Sequence, residues 1–272
     1  MITGIFLLSV FYAQKEFAHR NGIYRPKHQK LDILPILEKE SLSQDDYEIL
    51  FSQTGLSKEP VDLLLSDQIH GKERLLSYQE AYFRPRYTKC TSIFGPFVCT
   101  DVLTDASGAA LPSPEIVLAR PGDILVSFST HSFGWRHGHA ALVLDKNRTI
   151  ECRVIGTKSS LSTVSRWKGY SCYAVLRVKN VSPKRLKQAA SFAENHLYNL
   201  PYRLLSSLFY PTSASYDKLG FGVNCSTLIW YAYESIGINL NSSSFKITTP
   251  HDLFTSPMVE VIQIYGMDMP SS

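Results

Sequence analysis

The sequence predicts an α+β fold of antiparallel strands with helices packed on them, preceded by a smaller helical part. Short apolar runs of strand length recur between residues 120 and 178 and again at 259–265. Two stretches with helical periodicity, 182–197 and 225–236, lie between those strands. Residues 26–87 read as short helices broken by polar turns, with no strand-like alternation.

Met1 to Gln14 carries no charge, and Ile5 to Ala13 is almost wholly apolar. A run of about ten residues is too short to span a bilayer and fits the core of a signal peptide, so export is expected. No Lys or Arg precedes it and Phe11 occupies a position that cleavage after Ala13 would want small, which leaves a buried N-terminal helix as the other reading. Residues 15–118 form a mostly helical accessory region. Ser43 with Asp46 makes a capping box, Tyr47, Leu50 and Phe51 give one apolar face, and Gly55 ends that helix. A second helix starts at Ser57, and a third runs from about Lys72 to Phe83. Residues 88–118, with Gly95-Pro96, Gly108, Pro112 and Pro114, read as an irregular join.

The second part, 119–272, opens with a turn at Pro121-Gly122 and strands at Asp123–Phe128, Ala140–Leu144, Thr149–Ile155 and Tyr173–Val178. The unbroken apolar run at 140–144 marks a strand covered on both faces. Ser182 caps a helix to Leu197, with Pro183 in its first position. A long connection at 199–222 leads to a helix from Cys225 to Ile236, and Val259 to Tyr265 closes the chain as a strand.

Composition narrows the function. The 272 residues are 44% hydrophobic and 19% charged, which excludes wholesale disorder, collagen and coiled coil. The net charge of +4, from 28 basic against 24 acidic residues, is dispersed and speaks against nucleic-acid binding. It allows loose attraction to an anionic surface such as the cell envelope. Oligomeric state is not legible. Of the five cysteines, Cys90 and Cys99 bracket a segment able to form a hairpin, and Cys152 and Cys172 lie in strand-like stretches. Export would permit bridges among these four, and a reducing compartment would leave them as buried thiols.

Cys225 is where the chemistry points. Asn224 is a natural helix cap, which puts Cys225 in a first turn where unpaired N–H groups favour thiolate and can hold an oxyanion. His139 stands at the edge of one strand and Glu151 on the next. A hairpin loop of three or five residues puts these two on one face, and a two-residue turn at Lys146-Asn147 puts them on opposite faces. With the odd loop, Glu151 orients His139 and His139 takes the proton of Cys225. His131, His137 and His139 lie close in sequence, but no carboxylate or thiolate stands at a ligand spacing to them, so no metal is expected, and no cofactor.

The segments Gly-Asp-Ile (122–124), Gly-His-Ala-Ala-Leu-Val (138–143), Ile-Glu-Cys (150–152), Asn-Cys-Ser-Thr-Leu (224–228) and Thr-Pro-His-Asp-Leu (249–253) occur in that order. The pattern resembles the permuted NlpC/P60 cysteine hydrolases, and within them the YiiX/YebB-like group, with lecithin–retinol acyltransferase-like relatives. The resemblance covers roughly half the chain and implies a circularly permuted papain-like core, an antiparallel sheet packed against the cysteine helix. It implies Cys225 as nucleophile, His139 as base and Glu151 as the orienting residue. One departure is Ala140, where the family more often has a β-branched residue. Tyr202, His137, Trp135 and Ser226 are the expected substrate-binding residues, and Tyr210, Tyr216 and Phe221 an aromatic wall. The implied activity is cleavage of an amide in a peptidoglycan peptide or related peptide. A lipid acyl hydrolase or acyltransferase with the same triad is the alternative. A non-catalytic binding module is a third reading, against which the intact Cys, His and Glu argue.

Overall fold

The computed structural model describes residues 26–94, 98–132, 135–204, 222–241 and 248–269. The expected signal segment 1–14 and the aromatic residues Tyr210, Tyr216 and Phe221 lie outside them. Capping chemistry sets the helix starts. After α1 (Leu34–Leu37), α2 (Gln44–Thr54) opens with Ser43 accepting from the Asp46 N–H, while the Asp46 carboxylate accepts from Ser43 N–H at 2.9 Å. Helices α3 (Lys58–Leu65) and α4 (Gly71–Phe83) follow. Their apolar faces meet in a small core of Ile33, Leu37, Leu50, Val61, Leu64 and Leu75.

The join at 88–118 departs from expectation. It holds β1 (Tyr87–Phe94) and β2 (Val98–Thr104), paired antiparallel with Cys90 opposite Asp101 and Ser92 opposite Cys99. The accessory region is therefore not simply helical. Thr88, Thr91, Val98, Thr100 and Val102 are β-branched, and the Gly95-Pro96 breaker falls between the strands, not within one.

The strands that follow are β3 (Ile124–Ser127), β4 (Thr130–Ser132), β5 (Trp135–Arg136), β6 (His139–Val143), β7 (Arg148–Glu151), β8 (Ser160–Thr163) and β9 (Tyr173–Val178). A 3₁₀ segment, Val164–Gly169, lies between the last two. Then come α5 (Pro183–His196), α6 (Cys225–Glu234), α7 (Pro250–Thr255) and β10 (Val259–Tyr265). Among the described residues these strands form a four-stranded sheet, β1-β2-β4-β5, and a six-stranded sheet, β10-β9-β3-β6-β7-β8, and every pair of neighbours is antiparallel. The fold is mixed α+β.

The central strands β3, β6 and β9 of the six-stranded sheet are buried on both faces, as the 140–144 run requires. Ile124, Val126, Ala140, Leu142 and Ile150 pack toward Leu186, Ala189, Ala190 and Ala193 of α5 and Leu228, Ile229 and Ala232 of α6. The alternating set Leu125, Ala141, Val143, Tyr173 and Val175 packs with Trp167, Tyr170 and Leu103. The helical part joins this sheet through backbone as well as side chains. Ile264 N–H donates to Gly55 O at 2.8 Å and Ser57 N–H to Ile262 O at 3.0 Å. Gly55 has φ +72°, and an added Cβ would lie 2.0 Å from Ile264 O, so only glycine fits. Arg177 on β9 donates twice to Asp123, at 2.8 Å each, and also to Glu59 of α3.

Candidate active site

The turn between β6 and β7 decides whether His139 and Glu151 can meet. Leu142 pairs with Ile150 and Val143 with Thr149, and Leu144 N–H donates to Arg148 O at 2.9 Å. That leaves a three-residue loop, Asp145 to Asn147, in which Asp145 Oδ1 accepts from the N–H groups of Asn147 and Arg148 at 2.9 Å each. The odd length puts His139 and Glu151 diagonally on one face. Their side chains bond at 2.7 Å, Nε2 to Oε2, and are 3% and 1% exposed.

With Nε2 committed to Glu151, Nδ1 is the ring nitrogen left for the Cys225 thiol, whose acidity His139 raises. Cys225 is the first residue of α6. Asn224 caps that helix, its side chain accepting from Ser226 N–H at 3.1 Å and Thr227 N–H at 2.9 Å. Three separate segments thus bring Cys225, His139 and Glu151 together, with His139 and Glu151 directly bonded.

Burial alone would keep Cys225 protonated and His139 neutral. For Cys225, that cost is outweighed by the bond and charge of His139, with the Ala140 N–H and Ser226 adding to the effect, and the thiol lies below its ordinary range. For His139, burial is outweighed by Tyr170, Cys225 and Glu151, which hold the imidazole well above its usual value. Glu151 is likewise pulled below the ordinary carboxylate range against its burial, by His139 and then Arg166. All three directions favour a thiolate–imidazolium pair beside an ionised carboxylate.

The start of α6 is less open to an anion than its position alone suggests. Two of the first N–H groups, those of Ser226 and Thr227, are taken by the Asn224 cap. A cap strong enough to start the helix uses the very donors an oxyanion would need, and the Cys225 N–H is the one outside that cap.

The other predicted residues separate. Tyr202 lies beside the thiol: burial and the neighbouring Cys225 and Cys152 push its hydroxyl upward. Ser226 is buried, its hydroxyl bonded to Thr248 O at 2.7 Å and lying 3.1 Å from Asn224 Oδ1. His137 bonds to Ser132 Oγ at 2.9 Å and, through Nδ1, to Gly138 O at 2.8 Å, and burial lowers its basicity. The backbone of Trp135 belongs to β5, and its side chain lies outside the described set. His251 opens α7 behind the Thr249–Asp252 cap, as a helix-entry residue should.

Sequence reasoning missed the segment 164–170. Trp167 is fully buried and stacks on His139 with centroids 5.8 Å apart and planes 17° apart, and Tyr170 lies 6.1 Å away. Arg166 and Arg153 approach the free oxygen of Glu151 at 3.5 and 3.8 Å. The Trp-x-x-Tyr spacing at a short 3₁₀ helix was the available signal.

Gly138 sets the entry of β6. Its φ is +74°, and a Cβ there would lie 2.7 Å from Ser127 O and 3.0 Å from Phe128 Cδ1. Gly138→Ala should cost about 1–2 kcal/mol from the left-handed backbone alone, plus the clash, and should displace His139. Chemical denaturation reads the first effect and the Cys225 alkylation rate the second. An unchanged alkylation rate would mean that Gly138 does not position the histidine.

No protein-family profile and no curated protein sequence matches the chain. Among solved structures, the metalloprotein yiiX from Escherichia coli O157:H7 aligns with a TM-score of 0.38 and 16% identity, over 53% of this chain and 96% of that one. A similarity that low establishes neither a shared fold nor a family.

Proposed function

We propose that the protein is a cysteine hydrolase with a permuted papain-like core, acting on the carbonyl of a peptide amide. The observation that carries this reading is the 2.7 Å bond of Glu151 to His139, beside a Cys225 thiol whose acidity His139 raises at the start of a capped helix. The Cys225 thiolate attacks the carbonyl carbon, and the C–O π electrons move to oxygen, beside the Cys225 N–H. Collapse breaks the C–N bond, and the His139 imidazolium gives its proton to the leaving amine. Water, deprotonated by His139, then attacks the thioester; its collapse releases the acyl group as the acid and restores the thiolate–imidazolium pair. Arg153 and Arg166 give the Glu151 side of the site a positive rim. That rim suits a substrate bearing carboxylates, and a cell-wall stem peptide outside the cytoplasm is the substrate class we favour.

The test is the rate of Cys225 alkylation by iodoacetamide against pH, followed by peptide mapping. The reactive form should appear well below the ordinary cysteine value of about 8.5, and His139→Ala should raise that midpoint. Turnover should be bell-shaped: it falls on the acid side as the thiolate is protonated and on the alkaline side as the imidazolium loses the proton meant for the amine. A thiol inert at every pH in the folded protein would sink the assignment.

A further inference from the structure

Strand pairing builds a second cluster of metal-type donors that linear spacing hides. In the four-stranded sheet, Cys90 on β1 is opposite Asp101 on β2, and Cys99, two residues before Asp101, is opposite His131 on β4. Side chains alternate along a strand, so Cys90, Cys99, Asp101 and His131 all point to one face. Ligand atoms of Cys90, Asp101 and His131 lie within 4.8 Å of one another. Cys99, on the same face, opposite His131 and diagonal to Cys90, is placed to add a fourth donor.

Burial makes the arrangement unusual for a structural network. His131 is 0% exposed and Asp101 2%. His131 Nε2 bonds to Asp101 Oδ1 at 3.1 Å, yet its Nδ1 has no hydrogen-bond partner. A buried ring nitrogen without a partner is costly unless something arrives to use it. Arg136, opposite His131 on β5, holds Asp101 Oδ2 at 2.6 Å.

We propose that Cys90, Cys99, Asp101 and His131 form a binding site for one zinc ion, outside the Cys225 site. Two thiols and an imidazole are the donor types zinc prefers, and four donors complete a tetrahedral shell. A tetrahedral shell with bonds of about 2.0–2.3 Å needs donors roughly 3.3–3.8 Å apart, not far below the 4.8 Å within which the donors of Cys90, Asp101 and His131 already lie. Zinc entry forms two Zn–S bonds and releases the two thiol protons to solvent. The charges then balance: two thiolates and one carboxylate against Zn²⁺ and the Arg136 guanidinium. A buried site can hold such a neutral set. Cys90, half-buried where the other three are buried, is the entry side. The site would cross-link β1, β2 and β4, joining the accessory hairpin to the strand region that leads into His139.

The test uses the full chain carrying Cys225→Ser, which removes the other thiol beside a histidine, reduced beforehand to open any Cys90–Cys99 disulfide. After removal of metal and addition of zinc, one zinc per chain should survive gel filtration, and the melting temperature should rise. Cobalt(II) in its place should give thiolate-to-cobalt charge transfer in the near ultraviolet. Adding Cys90→Ser or His131→Ala should weaken zinc by at least the ~10–100-fold that loss of an outer partner costs and remove that absorption. Cys90→Ser should leave the metal-free melting temperature unchanged, which separates ligand loss from misfolding. Failure of the reduced chain to retain zinc overturns the proposal. So does equal retention by the Cys90→Ser/His131→Ala double variant.

Discussion

Replacing His139 with alanine is expected to lower hydrolysis by about 10²–10⁴-fold, the usual worth of a positioned proton-transfer group. The loss should fall on kcat, since the imidazole moves protons and its removal leaves the rest of the site intact. Glu151→Gln should cost a comparable amount for a different reason. The carboxylate fixes Nε2 at 2.7 Å and stabilises the imidazolium, and an amide can do neither as well. Because the two act through one proton path, their effects should not add. The His139→Ala/Glu151→Gln double variant should be no slower than His139→Ala within a few-fold. Multiplied losses would mean that Glu151 serves some purpose other than holding His139. Steady-state kinetics on a peptide substrate, with kcat and KM resolved, decides between these outcomes.

The second large effect concerns stability. Asp123 is fully buried and receives two bonds from Arg177, which is itself 7% exposed. Asp123→Ala strands a guanidinium inside the protein, and breaking such a buried pair from one side costs about 3–5 kcal/mol. For a domain whose net stability is about 5–15 kcal/mol, that is a large share. Glu59 also touches Arg177 but is half exposed, so Glu59→Ala should cost about 1 kcal/mol or less. Urea unfolding of the two variants gives both numbers. A cost below about 1 kcal/mol for Asp123→Ala would show that Glu59 and solvent suffice for Arg177.

The helix starts and the central strands were legible because their signals are local. Ser43, Ser182 and Asn224 cap where their side chains can reach the next turn, and the strands at 173–178 and 259–265 match their predicted bounds. The pairing of His139 with Glu151 was legible as a condition on loop parity, which the Asp145–Asn147 turn meets. What escaped depended on partners far along the chain. Hairpin strands β1 and β2 owe part of their pairing to β4, some thirty residues later, and the four-donor cluster needs all three strands in register. Trp167 reaches His139 only after β8 turns the chain back. The loss of helix-start N–H groups to Asn224 could have been anticipated, since a good cap and a fully open anion site compete for the same donors.

The place where Gly55 and Ser57 bond to β10 carries a further consequence. β10 is the border of the six-stranded sheet, with β9 on one side only. A bare border strand offers its unpaired amides and carbonyls to any similar strand, and natural proteins shield such borders to avoid aggregation. Here the turn between α2 and α3 occupies that row, through Ile264 N–H, Ile262 O and the bridge of Leu56 to Gln263. The helices ahead of the sheet therefore act as a solubility device. A chain beginning after residue 57 should self-associate through β10 even with every residue of the Cys225 site in place.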